Sequence, residues 1–250
     1  MGNAASNESH YDKAYASSNL IKALFKLHLS YDQLSKTRRN LTAINNILKT
    51  PSPLSILDYG FGHGTFLYRV PRIHEVSGCE LSSQAIRNIG RLFKLLRKDI
   101  ALFRQEEFLL PVYQKKYDLI YCSHVLEHVE SDRDLLTAFH NNLCEHGRLL
   151  LNVPINEVWR DPKHVREYCS VSTQQQLESA GFVIESAIEA DRWTAYILDK
   201  EYVSRSLPRP LIRVLRLFLA PLSISLLDGL ERMLPDKYRF QQLIVVARKS

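Results

Sequence analysis

Residues 56–67 read ILDYGFGHGTFL: an apolar run ending in an acid, three alternate glycines, then an apolar helix start. Few folds accommodate such a segment. The apolar run suits a buried strand, and Gly60, Gly62 and Gly64 suit a tight turn whose backbone approaches a ligand closely. The free N–H groups of a following helix start would favour a polar or anionic group there. Glu80, in GCELS, stands twenty residues after Gly60 at the end of the next strand candidate. A carboxylate in that place can accept both hydroxyls of a ribose.

The remainder of the chain supports this frame. Strand-like runs at 54–59, 75–80, 100–103, 117–123, 148–153 and 182–188 alternate with helical patterns at 82–98, 131–142 and 172–180. Such alternation predicts a doubly wound α/β sheet with helices on both faces. Gly181 fits the residue just past a helix end. Before this region, Leu20, Ile21, Leu24, Phe25, Leu27 and Leu29 form one helical stripe. Leu34, Leu41, Ile44, Ile47 and Leu48 form a second, ended by Pro51 and Pro53. Residues 1–50 are therefore expected to be a leader with helices that act as a lid or cap. Residues 51–250 are expected to be one domain, in which 191–238 are a proline-punctuated helical insertion capping an acceptor site before a last strand at 241–248.

With 250 residues, 45 % of them hydrophobic and 24 % charged, the chain can bury a sizeable core as a soluble domain. No uncharged apolar run of membrane-spanning length occurs. Cys79, Cys122, Cys144 and Cys169 are scattered without a CxxC pair, as expected of reduced thiols in the cytoplasm. The net charge of +6 favours anionic partners, but the basic residues are spread along the chain, so nucleic acid is a disfavoured partner. The opening Met1-Gly2-Asn3-Ala4-Ala5-Ser6 fits a myristoylation pattern, and its plainer reading is a polar leader.

A dinucleotide fingerprint would need glycine at position 65, where Thr65 stands. The observed D-x-G-x-G-x-G instead resembles motif I of the class I S-adenosylmethionine-dependent methyltransferases. YDLI at 117–120, HVLEHV at 124–129 and HVREYCSVSTQQQLESAGF at 164–182 are similar to later segments of that family. The resemblance implies a Rossmann-like seven-stranded sheet whose last strand is antiparallel, with S-adenosylmethionine as cofactor. It implies cofactor contacts from Asp58, Gly60, Gly62, Gly64, Glu80 and Leu81, from Glu106 and Glu107 near the adenine, and from Ser123. Phe61 and His63 depart from the family's smaller residues and could reshape the methionine end.

A second constellation follows the fourth strand. His124, Glu127 and His128 stand at i, i+3 and i+4, which on a helix is one face. His164 is expected to emerge from the same sheet edge, and three imidazoles with one carboxylate suit a divalent transition metal. The segment resembles the Glu-x-x-Glu-His metal motif of small-RNA 3′-terminal 2′-O-methyltransferases and a similar run in ubiquinone-pathway O-methyltransferases. His124 replaces the first Glu, which shifts the preference from Mg²⁺ toward Fe²⁺, Mn²⁺, Co²⁺ or Zn²⁺. In many metal-free methyltransferases the same acid and histidine are structural or orient the substrate. His124-Val125-Leu126-Glu127-His128 also spells an inverted zinc-protease motif, against which the cofactor-type strand before it argues.

The expected activity is O-methylation of a small hydroxylated metabolite, sugar or lipid-linked acceptor, with His124, His128 and His164 as catalytic candidates. RNA 2′-O-methylation and a catalytically silent cofactor-binding module are the alternatives. Tyr11 and Tyr15 are candidates for a lid over the cofactor, and Trp159 and Arg160 for walls of the acceptor site. Arg213 and Arg216, set among apolar residues, make 207–235 a candidate pocket cap, dimer contact or peripheral-membrane surface.

Overall fold

The computed structural model describes Asp12, Tyr15 and residues 20–158, 161–192, 208–235 and 237–250. Among the elements fully described, three helices precede the sheet: α1 (Leu20–His28), α2 (Tyr31–Ala43) and α3 (Asn45–Leu48). The chain then alternates β1 (Ser55–Tyr59), α4 (Thr65–Arg69), β2 (Glu75–Glu80), α5 (Ser83–Leu95), β3 (Ala101–Arg104), α6 (Gln105–Phe108) and β4 (Tyr117–Ser123). A 3-10 turn (Leu126–His128) leads to α7 (Asp132–Asn142), β5 (Leu143–Pro154), α8 (Ser170–Ser179) and β6 (Phe182–Ala190). Helices α9 (Arg209–Leu219) and α10 (Ile224–Glu231) precede β7 (Gln242–Lys249).

The seven strands lie in the order β3-β2-β1-β4-β5-β7-β6. The first five run parallel, and β7 is antiparallel to both β5 and β6. The doubly wound fold with a reversed last strand is therefore present.

The central strands are apolar on both faces because helices cover both sides. Ile56, Leu119, Tyr121, Leu150, Ile244 and Val246 face one core with α1, α4 and α5. Their alternates Leu57, Ile120, Cys122, Leu149, Leu151, Val245 and Ala247 face the other, with Leu135, Phe139 and Leu177. The strand β5 starts earlier than its apolar run indicates. Tyr117 pairs with Leu143 but Leu119 pairs with Arg148, and the residues between are taken up by a bulge with His146 at a φ of 61°.

Polar side chains fix α2 against the sheet. Asn40 donates to Tyr121 Oη at 2.7 Å and to Ser123 Oγ at 3.3 Å, and Asn152 Nδ2 donates to Asn40 Oδ1 at 2.9 Å. On the outer side of α2, Tyr31 and Leu34 pack with Ala220 and Leu227. Arg38 donates to the carbonyls of Ala220 and Leu222, and Arg216 pairs with Asp32 at 3.0 Å. The described part of the insertion thus docks on α2. It contributes no residue to the cavity described below. Arg39 lies buried between Asp191, Asp228 and Glu231, joining α2 to the insertion.

Candidate functional site

A cavity of about 480 Å³ opens at the carboxyl ends of β1, β2 and β4, where the order of crossovers reverses. Its floor is the glycine turn. Gly60 has a φ of 76°, and a Cβ there would meet Val125 Cγ2 at 2.3 Å, so only glycine fits both the conformation and the space. Gly60 N donates to Cys79 O at 2.9 Å, which ties the turn to β2. Glu80 accepts from Gly62 N and Leu81 N, each at 2.8 Å, so the carboxylate is held at the turn by backbone donors.

Asp58, Gly60, Gly62, Glu80, Leu81, Glu106 and Ser123 all line this cavity. Gly64 and Glu107 do not. Gly64 begins α4 in the left-handed region, and a Cβ there would press on Ile89 and Phe93 at 3.3 Å, so it serves the turn and the packing beneath it. Glu107 folds back on Arg104 N at 3.0 Å as a helix cap. Glu106 remains at the wall, paired with Arg104.

Electrostatics at the floor favour a cation. Burial, reinforced by Glu80, holds the Asp58 carboxyl well above the usual carboxylate range. Burial also raises Glu80, against the opposing donation from Gly62, Leu81 and Ser82. A positively charged ligand beside these groups would lower the cost of ionising them.

Sequence reasoning missed one wall. Gln33, Lys36 and Thr37 project from one face of α2 into the cavity. Their i, i+3, i+4 spacing in an otherwise buried helix was the available signal. His63 also lines the cavity, and burial followed by repulsion from Lys26 lowers its pKa to about 4. Tyr15 meets the His63 ring edge-on at 5.1 Å and covers Gly62. Asp12, just upstream, accepts from Ser82 Oγ at 2.5 Å and Gln84 N at 3.0 Å, so this part of the leader is fastened to the start of α5. Tyr11, Trp159, Arg160 and Gly2 lie outside the described residues.

The histidine cluster lies at the cavity through His124 and His128, and its geometry corrects one expectation. His124, Glu127 and His128 do not share the face of one α-helix. His124 leaves β4 with a φ of 55° and donates its N–H to Asn152 O at 2.8 Å, so the turn begins only at Leu126. Among the described residues, Glu127, His128 and His164 each offer a ligand atom, all within 4.8 Å of one another. His124 stands outside that group and meets it through Glu127, with Nδ1 3.3 Å from Glu127 Oε1.

The approach of His164 has clear causes. Val165 N donates to Glu127 O at 2.9 Å, and Tyr168 Oη donates to Leu126 O at 3.3 Å and to Asp132 Oδ2 at 3.1 Å. Arg166 pairs with Asp132. These bonds pin the loop after β5 onto the turn after β4 and bring the His128 and His164 rings to 4.8 Å.

This cluster fits a divalent cation by its donor set and by an unmet need. Glu127 is fully buried, and Oε2 has no hydrogen-bond partner. Burial pushes its pKa up, but His124 and His128 outweigh that and leave it below the usual value. His164 Nδ1 lies 2.6 Å from Glu157 Oε1, and His128 Nδ1 lies 3.3 Å from Lys163 O. Each ring thus has Nδ1 engaged and would offer Nε2, the arrangement typical of metal-ligating imidazoles. Glu157, like Gln33, Lys36 and Thr37, was missed by sequence reasoning.

His124 differs in kind. Its Nε2 is buried without a partner, and its ring lines the cavity together with that of His128. Burial and then Lys36 lower its pKa against the pull of Glu127, which favours the neutral ring.

Residues 31–187 match a family model described as a methyltransferase domain. The fold is similar to that of the [4+2]-cyclase SpnF, at 16 % identity and a TM-score of 0.62 over 85 % of this chain and 80 % of that one. It is similar to the YcgJ protein of Bacillus subtilis, at 15 % identity and a TM-score of 0.59 over 84 % and 98 %. It also resembles Burkholderia thailandensis 1,6-didemethyltoxoflavin-N1-methyltransferase with bound acceptor and S-adenosylhomocysteine, at 14 % identity and a TM-score of 0.60 over 99 % and 88 %. At these identities the likeness is one of fold. No curated protein sequence matches the chain.

Proposed function

The chain belongs to the class I S-adenosylmethionine-dependent methyltransferase family, and on that premise we propose that it methylates an oxygen of a small hydroxylated acceptor with the help of a divalent metal. The acceptor classes that suit a cavity of this size are a metabolite, a sugar or the head of a lipid-linked molecule. The observation that carries the reading is the convergence of Glu127 and His164 on His128, which lines the cavity.

The bound donor supplies an electrophilic methyl carbon on a sulfonium that leaves as a neutral thioether. Glu80 would hold the ribose, and the donor's positive charge would favour ionisation of the Asp58 carboxyl, which burial otherwise opposes. With the donor fixed, catalysis is chiefly alignment of the acceptor oxygen with the carbon–sulfur axis. Gln33, Lys36 and Thr37 on α2 supply polar contacts on the acceptor side.

The acceptor hydroxyl must lose its proton as the carbon–oxygen bond forms. His124 would take it at Nε2, with Nδ1 3.3 Å from Oε1 of the Glu127 carboxylate. Glu127, through its other oxygen, with His128 and His164, would hold the metal. Such an ion supplies Lewis acidity that lowers the pKa of a nearby hydroxyl. The donor set favours Fe²⁺, Mn²⁺, Co²⁺ or Zn²⁺ over Mg²⁺.

The test is methyl transfer from labelled S-adenosylmethionine across a panel of hydroxylated compounds, with and without EDTA, beside metal analysis of the purified protein. Metal near one equivalent, and turnover that EDTA removes without displacing the donor, are the expected results. Full turnover by metal-free protein in EDTA would contradict the metal role. Methylation of nitrogen or carbon acceptors alone would contradict the oxygen assignment.

A further inference from the structure

Helix α9 (RPLIRVLRLFL) sets Arg213 and Arg216 on one face and is apolar over the rest of its circumference. One side is accounted for: Ile212 is buried, and Leu215 and Leu219 pack toward α2 and α10. The opposite side faces outward. Leu211, Val214 and Phe218 stand at i, i+3 and i+7 with Leu217 beside them, and they are 51, 46, 72 and 43 % exposed. A helix with apolar residues on its outward face has a surface still to bury.

Charge identifies what covers it. The described acids of this two-helix layer, Asp228 and Glu231, both bond to Arg39 on α2. The inner arginine of α9, Arg216, is neutralised by Asp32. Arg213, Arg232, Lys237 and Arg239 are exposed on or just after the layer. Among the described residues of the two helices the acids are thus paired with Arg39, and the exposed Arg213 sets a positive charge beside the apolar stripe. That combination matches a negatively charged interfacial surface, where apolar side chains enter the acyl boundary and arginines meet phosphate headgroups. No described helix is long and apolar enough to cross a membrane, so the contact is one of a helix lying in the interface.

We propose that the outer face of α9, through Leu211, Val214, Leu217 and Phe218 flanked by Arg213, docks on the surface of an anionic lipid bilayer. Because the stripe lies on the side of the layer away from α2, docking leaves the cofactor cavity intact. The proposal is independent of which acceptor atom is methylated.

The experiment is co-sedimentation of the full chain with vesicles of phosphatidylcholine alone or mixed with phosphatidylglycerol, at low and high salt. The expected result is binding to the anionic vesicles that weakens with salt. Val214→Glu with Phe218→Glu should reduce that binding about tenfold or more, with S-adenosylmethionine affinity and melting temperature unchanged. Arg213→Glu, a surface change that leaves the apolar stripe whole, should weaken binding to the anionic vesicles alone. Failure of the wild-type chain to sediment with either vesicle would overturn the proposal. So would concentration-dependent dimerisation that the same glutamates abolish, since a second copy would then be the occupant.

Discussion

His164 holds its Nδ1 2.6 Å from Oε1 of Glu157, both residues lying in the loop between β5 and α8. Burial opposes a charged imidazole here, yet Glu157 outweighs it and raises the His164 pKa above its ordinary value. An imidazole oriented by a carboxylate is a stronger metal ligand and presents a fixed nitrogen. Glu157→Gln should therefore weaken metal affinity by about 10–100-fold, while His164→Ala removes a ligand outright. Metal titration followed by spectroscopy with Co²⁺ as probe would read both. Unchanged affinity in Glu157→Gln would leave that pair a loop contact without influence on the site.

The His124–Glu127 contact makes a different forecast. If Glu127 orients His124 as a base, His124→Gln should lower kcat by about 10²–10⁴-fold and leave the binding of both metal and donor near wild type. His128→Ala should instead lose the metal. Comparing metal content with turnover in the two variants separates the roles, and loss of metal in His124→Gln would place His124 among the ligands.

Arg39 is the structural hinge between α2 and the insertion. Arg39→Met would remove the guanidinium that the buried Asp191 and Glu231 share, at a cost of about 3–5 kcal/mol. The exposed half of the Asp228 pair adds little. Burial pushes the Glu231 carboxyl up to about 7, above its unfolded value, so this group favours the folded state at low pH and less so as pH rises. The penalty in Arg39→Met should accordingly be larger at about pH 8 than at about pH 5. Denaturant unfolding at the two values checks this, and a penalty independent of pH would contradict it.

Asp58 predicts a pH dependence of donor binding. Its folded pKa is raised by burial and by Glu80, so without ligand the group favours the folded state at low pH, and that contribution fades as pH rises above the unfolded carboxyl range. A cationic donor prefers the ionised carboxylate. Its affinity should fall as pH is lowered through the raised pKa, and Asp58→Asn should flatten the profile. An affinity that is constant with pH in the wild-type chain would argue that Asp58 does not sense the donor's charge.

Much of this architecture is readable in the chain because period-two burial and glycine spacing are local properties. Ile56 and Leu57 face opposite cores, as an apolar strand covered on both faces requires. Gly60 is forced by φ and by Val125 together, so its place in the turn is evident from the pattern even though its neighbour is remote in sequence. What was not legible depends on backbone turns and on distant segments. The i, i+3, i+4 rule failed at His124 because one left-handed residue after β4 delays the turn. Lys36 reads as an ordinary surface charge until α2 is laid across the end of β4. Glu157 gains its role only when Val165 bonds to Glu127 and draws the loop inward. The insertion was expected over the acceptor site, whereas its described helices pack on the far side of α2, where Arg38 and Arg39 fasten them.

The most direct measurement is a calorimetric titration of the chain with S-adenosylmethionine, with S-adenosylhomocysteine and with NAD. One site for each sulfur ligand and no heat with NAD are expected. Glu80→Ala should weaken both sulfur ligands at least about tenfold, equivalent to about 1.4 kcal/mol or more. Tight binding of NAD with no response to either sulfur ligand would contradict the assignment of the Gly60–Glu80 cavity as a methyl-donor site.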